Sequence, residues 1–305
     1  ESCHGPASAH LQWATAQHNG SALETDIAQH GFDADLASPT VQIESCARCH
    51  SRRRIIAEEF APGKELYDHY VPALLEPGLY HADGQILEEV YVYGSFVQSK
   101  MYHNNVTCTN CHDAHSLKLK FEGNKLCTQC HVPETYDTPK HHFHTPNTDG
   151  AQCINCHMTG KYYMGNDYRR DHSFRIPRPD LSLKYNTPNA CTQCHKDKSN
   201  DWAWEQFKTQ FGVPDYKHFS DLLAPGLTGA ENGMQALQTL AKDTVYPEIA
   251  RASAVRAMSN YLTPESIDDL LGFLNDESSL VKGASIDVLS DINTKDYVNY
   301  FLPLL

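Results

Sequence analysis

The chain has 305 residues, 40% apolar and 21% charged, an ordinary globular composition with room for about two domains. Its formal net charge of −13 argues against a nucleic-acid partner. No apolar run approaches the roughly 20 residues of a membrane span. The chain carries eleven cysteines and eighteen histidines, and their placement is the main signal.

In chain order the sequence opens Glu1-Ser2-Cys3-His4 and then repeats one pattern five times: Cys46-Ala-Arg-Cys49-His50, Cys108-Thr-Asn-Cys111-His112, Cys127-Thr-Gln-Cys130-His131, Cys153-Ile-Asn-Cys156-His157 and Cys191-Thr-Gln-Cys194-His195. This is the attachment signature of c-type haem. Two thiols on one turn reach the vinyl groups of one porphyrin as thioethers, and the next imidazole ligates its iron. A Cys-x-x-Cys pair is also half a zinc site, a redox dithiol or a disulfide knuckle. Histidine after all five complete pairs by composition alone has odds of about one in a million, and none of those alternatives requires it there.

Each motif therefore implies one covalent haem c. Ser2-Cys3-His4 reads as a sixth copy entered one residue late, which predicts truncation, with a single-thioether haem as the alternative. The expected attachment residues are Cys3, Cys46, Cys49, Cys108, Cys111, Cys127, Cys130, Cys153, Cys156, Cys191 and Cys194. The expected proximal ligands are His4, His50, His112, His131, His157 and His195. Bacteria attach haem c outside the cytoplasmic membrane, so a periplasmic or extracellular protein is expected.

The motifs end before residue 196, in sequence rich in Pro, Gly, Asn and Thr. About six haems in that length leave little polypeptide for a conventional core, so short helices and long loops are expected to wrap stacked porphyrins. Within this part the alternation from Ile86 to Val97 predicts a short hairpin strand. Arg52-Arg53-Arg54 reads equally as a propionate partner or a solvated basic turn.

From about Asn200 cysteine disappears and helical spacing begins at Trp202, Trp204, Phe207 and Phe211. Arg251–Met258 resembles Lys282–Leu289, and between them Pro264-Glu265 opens a helix carrying Ile267, Leu270, Leu271, Phe273 and Leu274. This is the pattern of HEAT-type helix pairs, with a plain helical bundle as the alternative. Such arrays need about three or more copies and a cap, so an end at Phe301-Leu-Pro-Leu-Leu305 also reads as truncation. The expected fold is mainly α with extensive irregular loops: a multihaem cytochrome c domain at 1–205 and an α-helical HEAT-like repeat domain at 206–305.

Twelve histidines remain for six sixth-ligand positions, enough to make every haem bis-histidine, low-spin and closed to substrate. His115, three residues after His112, is too near to cap the same haem and would reach a neighbour. His10, six residues after His4, invites the same argument. Of His141, His142 and His144, one or two are expected to ligate. The expected distal set is His10, His81, His115, His142, His144 and His172, with His103 weighed and left outside it.

Several stretches resemble bacterial multihaem cytochromes related to cytochrome c-554. They are Cys46-Ala-Arg-Cys-His-Ser-Arg-Arg, Tyr91-Val-Tyr-Gly-Ser-Phe-Val-Gln-Ser-Lys-Met101, His112-Asp-Ala-His115-Ser and Arg170-Asp-His172-Ser-Phe-Arg-Ile-Pro-Arg-Pro-Asp180, with the opening Ser2-Cys-His-Gly-Pro-Ala-Ser-Ala-His10. The resemblance covers nearly all of residues 1–205 and matches the tail only in kind. It implies an octahaem parent with TPR- or HEAT-like repeats, whose first two haems precede this numbering, and it supports His10, His81, His115, His144 and His172 as ligands.

The expected function is electron transfer along closely spaced bis-histidine haems, in respiratory or extracellular electron transport. Redox proteins or further copies of the chain are the expected partners, as in a homo-oligomer or a haem filament. The alternative is a multihaem oxidoreductase reducing a small nitrogen or sulfur oxyanion at one five-coordinate haem. Tyr162-Tyr163, Arg169-Arg170 and His172 near His157 would then supply the polar groups. The electron-carrier reading assigns no catalytic residue.

Overall fold

Pro39 stands in the first turn of the Pro39–His50 helix, where its missing N–H costs nothing. Ile43 and Ala47, four residues apart, are buried on one face, and Cys46 to His50 form the final turn. The other complete motifs sit on the short helices Cys108–Cys111, Lys125–Thr128, Cys153–His157 and Ala190–Cys194. Thr107 and Asn110 form a capping box on the first of these, and Asn189 accepts the Thr192 N–H at the start of the last. Helices this short have no stability of their own, so their surroundings must fix them.

The computed structural model describes residues 2–20 and 28–304; Glu1 and Leu305, at the ends of runs quoted above, lie outside them. The protein is mainly helical. Among the described residues the strands form three antiparallel pairs: Arg53–Ile55 with Tyr70–Pro72, His112–Asp113 with Lys118–Leu119, and Gly160–Tyr163 with Asp167–Arg170. Among the described residues no helix is long and apolar enough to cross a membrane.

The strand expected at Ile86–Val97 does not form. Tyr91 bridges to Ser51, turns the chain at φ 62°, and Tyr93–Phe96 closes a helical turn. The cause is the spacing of the apolar residues: Val90, Tyr93, Phe96 and Val97 are all buried, which suits a turn rather than a half-buried strand. Gly94 lets Tyr80 approach, since a Cβ there would lie 2.2 Å from the Tyr80 hydroxyl.

The tail is helical as its periodicity predicts, with Asn200–Phe211, Ser220–Leu227, Gly233–Lys242, Glu248–Ala257, Pro264–Phe273 and Ser279–Phe301. The two similar segments lie on Glu248–Ala257 and Ser279–Phe301, which pack together. Their buried residues, including Ile249, Val255, Val281 and Val288, belong to a core that runs on into Ile43, Leu66, Leu75, Tyr80 and Val90. Polar contacts cross the same boundary: Arg54 pairs with Asp287 at 2.9 Å, and the Leu75 N–H donates to Ser253 Oγ at 2.9 Å. Between Gln98 and Trp202, by contrast, the buried apolar side chains among the described residues are Ala151, Tyr163, Pro179 and Leu181.

Arg251 lies inside the tail at 5% exposure, donating through Nε to the Ala241 carbonyl and pairing with Asp276. Arg251→Ala is expected to cost about 3–5 kcal/mol, because it strands a mostly buried carboxylate. Chemical denaturation followed by circular dichroism measures this, and a loss below about 1 kcal/mol would refute it.

His218 is held neutral at the start of the Ser220–Leu227 helix. Its Nδ1 accepts the Ser220 N–H at 3.2 Å, and burial, with Arg175 nearby, lowers its pKa to about 4. Protonation therefore favours the unfolded chain. This contribution is full above the ordinary histidine pKa of about 6.5 and is lost as pH falls toward 4, to a limit of ~3 kcal/mol. His218→Gln should flatten the stability profile between those values; an unchanged slope would contradict the assignment.

Candidate haem sites

The five complete motifs meet in sequence order. The Cys46 thiol donates to Cys108, which raises the pKa of Cys46 and lowers that of Cys108. Cys111 lies near Cys130 and Cys127, the Cys127 thiol donates to Cys153, and Cys156 lies near Cys191 and Cys194. The opening motif joins the row through Arg48, which donates to the Ser2 carbonyl at 3.3 Å. Among the described residues, no three His, Cys, Asp or Glu side chains gather into a metal cage of their own.

Side-chain amides clip neighbouring motifs together. Gln42 Oε1 accepts both the N–H and the hydroxyl of Thr109, at 3.2 and 2.9 Å, joining the second motif to the third. Gln129 donates to the Asn110 carbonyl at 3.2 Å, joining the fourth to the third. Asn124 accepts the Cys153 N–H at 3.0 Å, joining the fourth to the fifth. Sequence reasoning missed these three residues, because nothing in a single sequence distinguishes them from surface amides.

Three motif histidines each face another histidine. The ring centroids of His112 and His172 are 6.4 Å apart with 24° between planes, those of His157 and His141 are 6.1 Å apart at 13°, and those of His195 and His144 are 6.1 Å apart at 32°. A metal–imidazole nitrogen bond is about 2.0 Å, so two imidazoles on opposite sides of one ion have ring centres about 6 Å apart. In every pair one Nδ1 meets a backbone carbonyl: His172 with Arg170 and His157 with Arg175, both at 2.9 Å, and His144 with His142. A carbonyl oxygen only accepts, so these Nδ1 atoms carry the proton and Nε2 keeps its lone pair. Metal-ligating histidines are oriented in this way. Burial lowers the pKa of His112, His141 and His172, which keeps them neutral and able to ligate.

His141 was not in the distal set read from the sequence. His142, which was, differs from its neighbours: its Nδ1 accepts the His144 N–H at 3.1 Å, so its ring proton is on Nε2. His10 donates through Nδ1 to the His30 carbonyl at 2.8 Å and stacks on Phe32 at 4.0 Å, and the ring of His4 lies 4.3 Å from that same Phe32. His81 is half-buried beside Asp83 and Lys161, and burial lowers its pKa. His115 stands exposed in the turn between its two strands, its N–H bonded to Asp113. His50 lies near both His112 and His172, His131 meets the edge of Tyr136, His103 is exposed, and His195 packs on Trp202 at 4.9 Å.

The basic run is divided in its duties. Arg54 is taken by Asp287, Arg52 donates to the Glu89 carbonyl at 3.1 Å, and Arg53 lies over the Tyr70 ring with a buried Nε–H that no described protein group accepts. Paired thiols, facing imidazoles, an orphaned buried guanidinium N–H beside a motif and a thin apolar core from 98 to 202 fit haem c as the bound group.

No protein-family model matches the chain, and no curated protein matches it. Among solved structures, the crystal structure of the outer cell wall cytochrome OcwA is similar, with a TM-score of 0.46 and 16% identity over 95% of this chain and 68% of that one.

Proposed function

We propose that the chain is a multihaem c-type cytochrome that carries electrons along about six haems in the order of their motifs, as part of respiratory or extracellular electron transfer. The observation that carries this reading is the set of three histidine pairs, each joining a motif histidine to a second imidazole at 6.1–6.4 Å. When bound, haem c supplies one-electron exchange at its iron. The motif cysteines, with Cys3, would hold the groups through thioethers, and His4, His50, His112, His131, His157 and His195 would be proximal ligands. His172, His141 and His144 would complete the third, fifth and sixth sites, closing them to substrate. His10, His81 and His115 remain candidates for the others, whereas His142, whose Nδ1 accepts the His144 N–H, is left out. Gln42, Gln129 and Asn124 would fix the spacing between neighbouring sites.

The division at 205 and 206 and the HEAT-like character of the tail belong to this proposal. A tail that shares its core with residues 43–97 would act as a buttress, leaving its outer face for a redox protein or another copy of the chain. A periplasmic or extracellular location follows from covalent haem attachment. The oxidoreductase alternative has less support, because its cationic groups are engaged: Arg169 pairs with Glu89 and Asp167, and Arg170 donates to Ile154, Met158 and Asn155.

Low-temperature EPR of the oxidised protein, with haem counted by the pyridine haemochrome assay, tests the reading. About six haems with at least three low-spin irons are expected. A stoichiometric high-spin signal that shifts with small anions would favour the reductase, and a protein without covalent haem would overturn both.

A further inference from the structure

We propose that Gly150 is a positioning residue for the sixth ligand of the last motif, leaving the space beside the backbone in which the His144 ring lies. This rests on the reading above that His144 and His195 share one iron. Gly150 belongs to the Asp149–Ala151 turn and is not among the glycines with positive φ, so alanine can adopt its backbone conformation without strain. A Cβ there would lie 2.2, 2.5 and 2.9 Å from Cδ2, Cγ and Nε2 of His144, and these are its three nearest atoms. The glycine is therefore required by that one ring.

Any retreat of the ring acts against the contacts that hold it opposite His195. Its Nδ1–H is tied to the His142 carbonyl. Its backbone is entered from Phe143, which ends the Pro139–His142 helix in the left-handed conformation at φ 57° and packs on Phe211 at 5.4 Å. The same segment carries His141, which faces His157, so one short piece of chain serves two neighbouring sites. The nearest atoms to a Cβ at 150 belong to His144 alone, so the substitution separates the two.

In the haem-loaded protein, Gly150→Ala is expected to turn one iron per chain from low-spin to high-spin, with haem content unchanged. The reduced protein should bind one further equivalent of carbon monoxide, and free imidazole should restore the low-spin signal. His144→Ala should do the same. The double variant should match His144→Ala alone, since the ring that the new methyl group meets is gone. Parent-like spectra and carbon monoxide binding in Gly150→Ala would overturn the proposal, whereas an all-low-spin His144→Ala would overturn the ligand reading beneath it. If Gly150→Ala loses haem or fails to fold, recovery in the double variant supports the proposal, and persistent loss overturns it.

Discussion

Prepared without haem, the chain is expected to exchange its amide hydrogens between residues 98 and 202 at close to unfolded rates. The helices from Phe219 to Leu289 should remain protected by a factor on the order of 10³ or more, as expected for a core of ordinary stability. The contrast follows from where apolar side chains are buried. The tail and residues 43–97 share a continuous core, whereas the stretch holding four complete motifs buries only Ala151, Tyr163, Pro179 and Leu181 among its described apolar residues. Its helices are single turns of four or five residues around each motif, too short to persist alone. Hydrogen exchange with mass spectrometry on the loaded and haem-free chains measures the difference. Equal protection of 98–202 in both would mean that this region folds on its own contacts.

The second large effect distinguishes two adjacent histidines. His141→Ala should convert one iron of about six from low-spin to high-spin and open one site to carbon monoxide, while His142→Ala should leave the spin count unchanged. The His141 ring faces His157 at 6.1 Å and burial keeps it neutral, whereas His142 Nδ1 accepts the backbone N–H of His144 and so commits its ring proton to Nε2. EPR on the two variants, with haem content as the control, decides it. The reverse result would exchange their roles.

The motif histidines were legible as a set because each follows a Cys-x-x-Cys pair directly. The histidines they face were not, because His172 and His144 reach His112 and His195 across 50 or more residues of irregular chain, where no periodicity carries the register. His141 and His142 are neighbours on one helical turn, where successive side chains point about 100° apart, so the choice between them depends on how that turn is docked. The tail was legible for the opposite reason: Trp202 to Phe211 and Pro264 to Phe273 have regular helical spacing and sit on helices. The Ile86–Val97 alternation misled because Val90, Tyr93, Phe96 and Val97 are all buried, in a turn that depends on Tyr80 and Ile249 from elsewhere in the chain.

The amide clips have a consequence for biogenesis. Gln42 reaches forward to the third motif, Gln129 back to it, and Asn124 forward to the fifth, so each contact joins motifs that are also consecutive in the chain. Loop closure between such neighbours carries a smaller entropic cost than pairing distant segments. Were the motifs loaded with haem, a polypeptide emerging amino terminus first could therefore be wound around its cofactors one at a time, each newly loaded turn meeting the one before it. The shared core of residues 43–97 and the tail, which needs the far end of the chain, would close last.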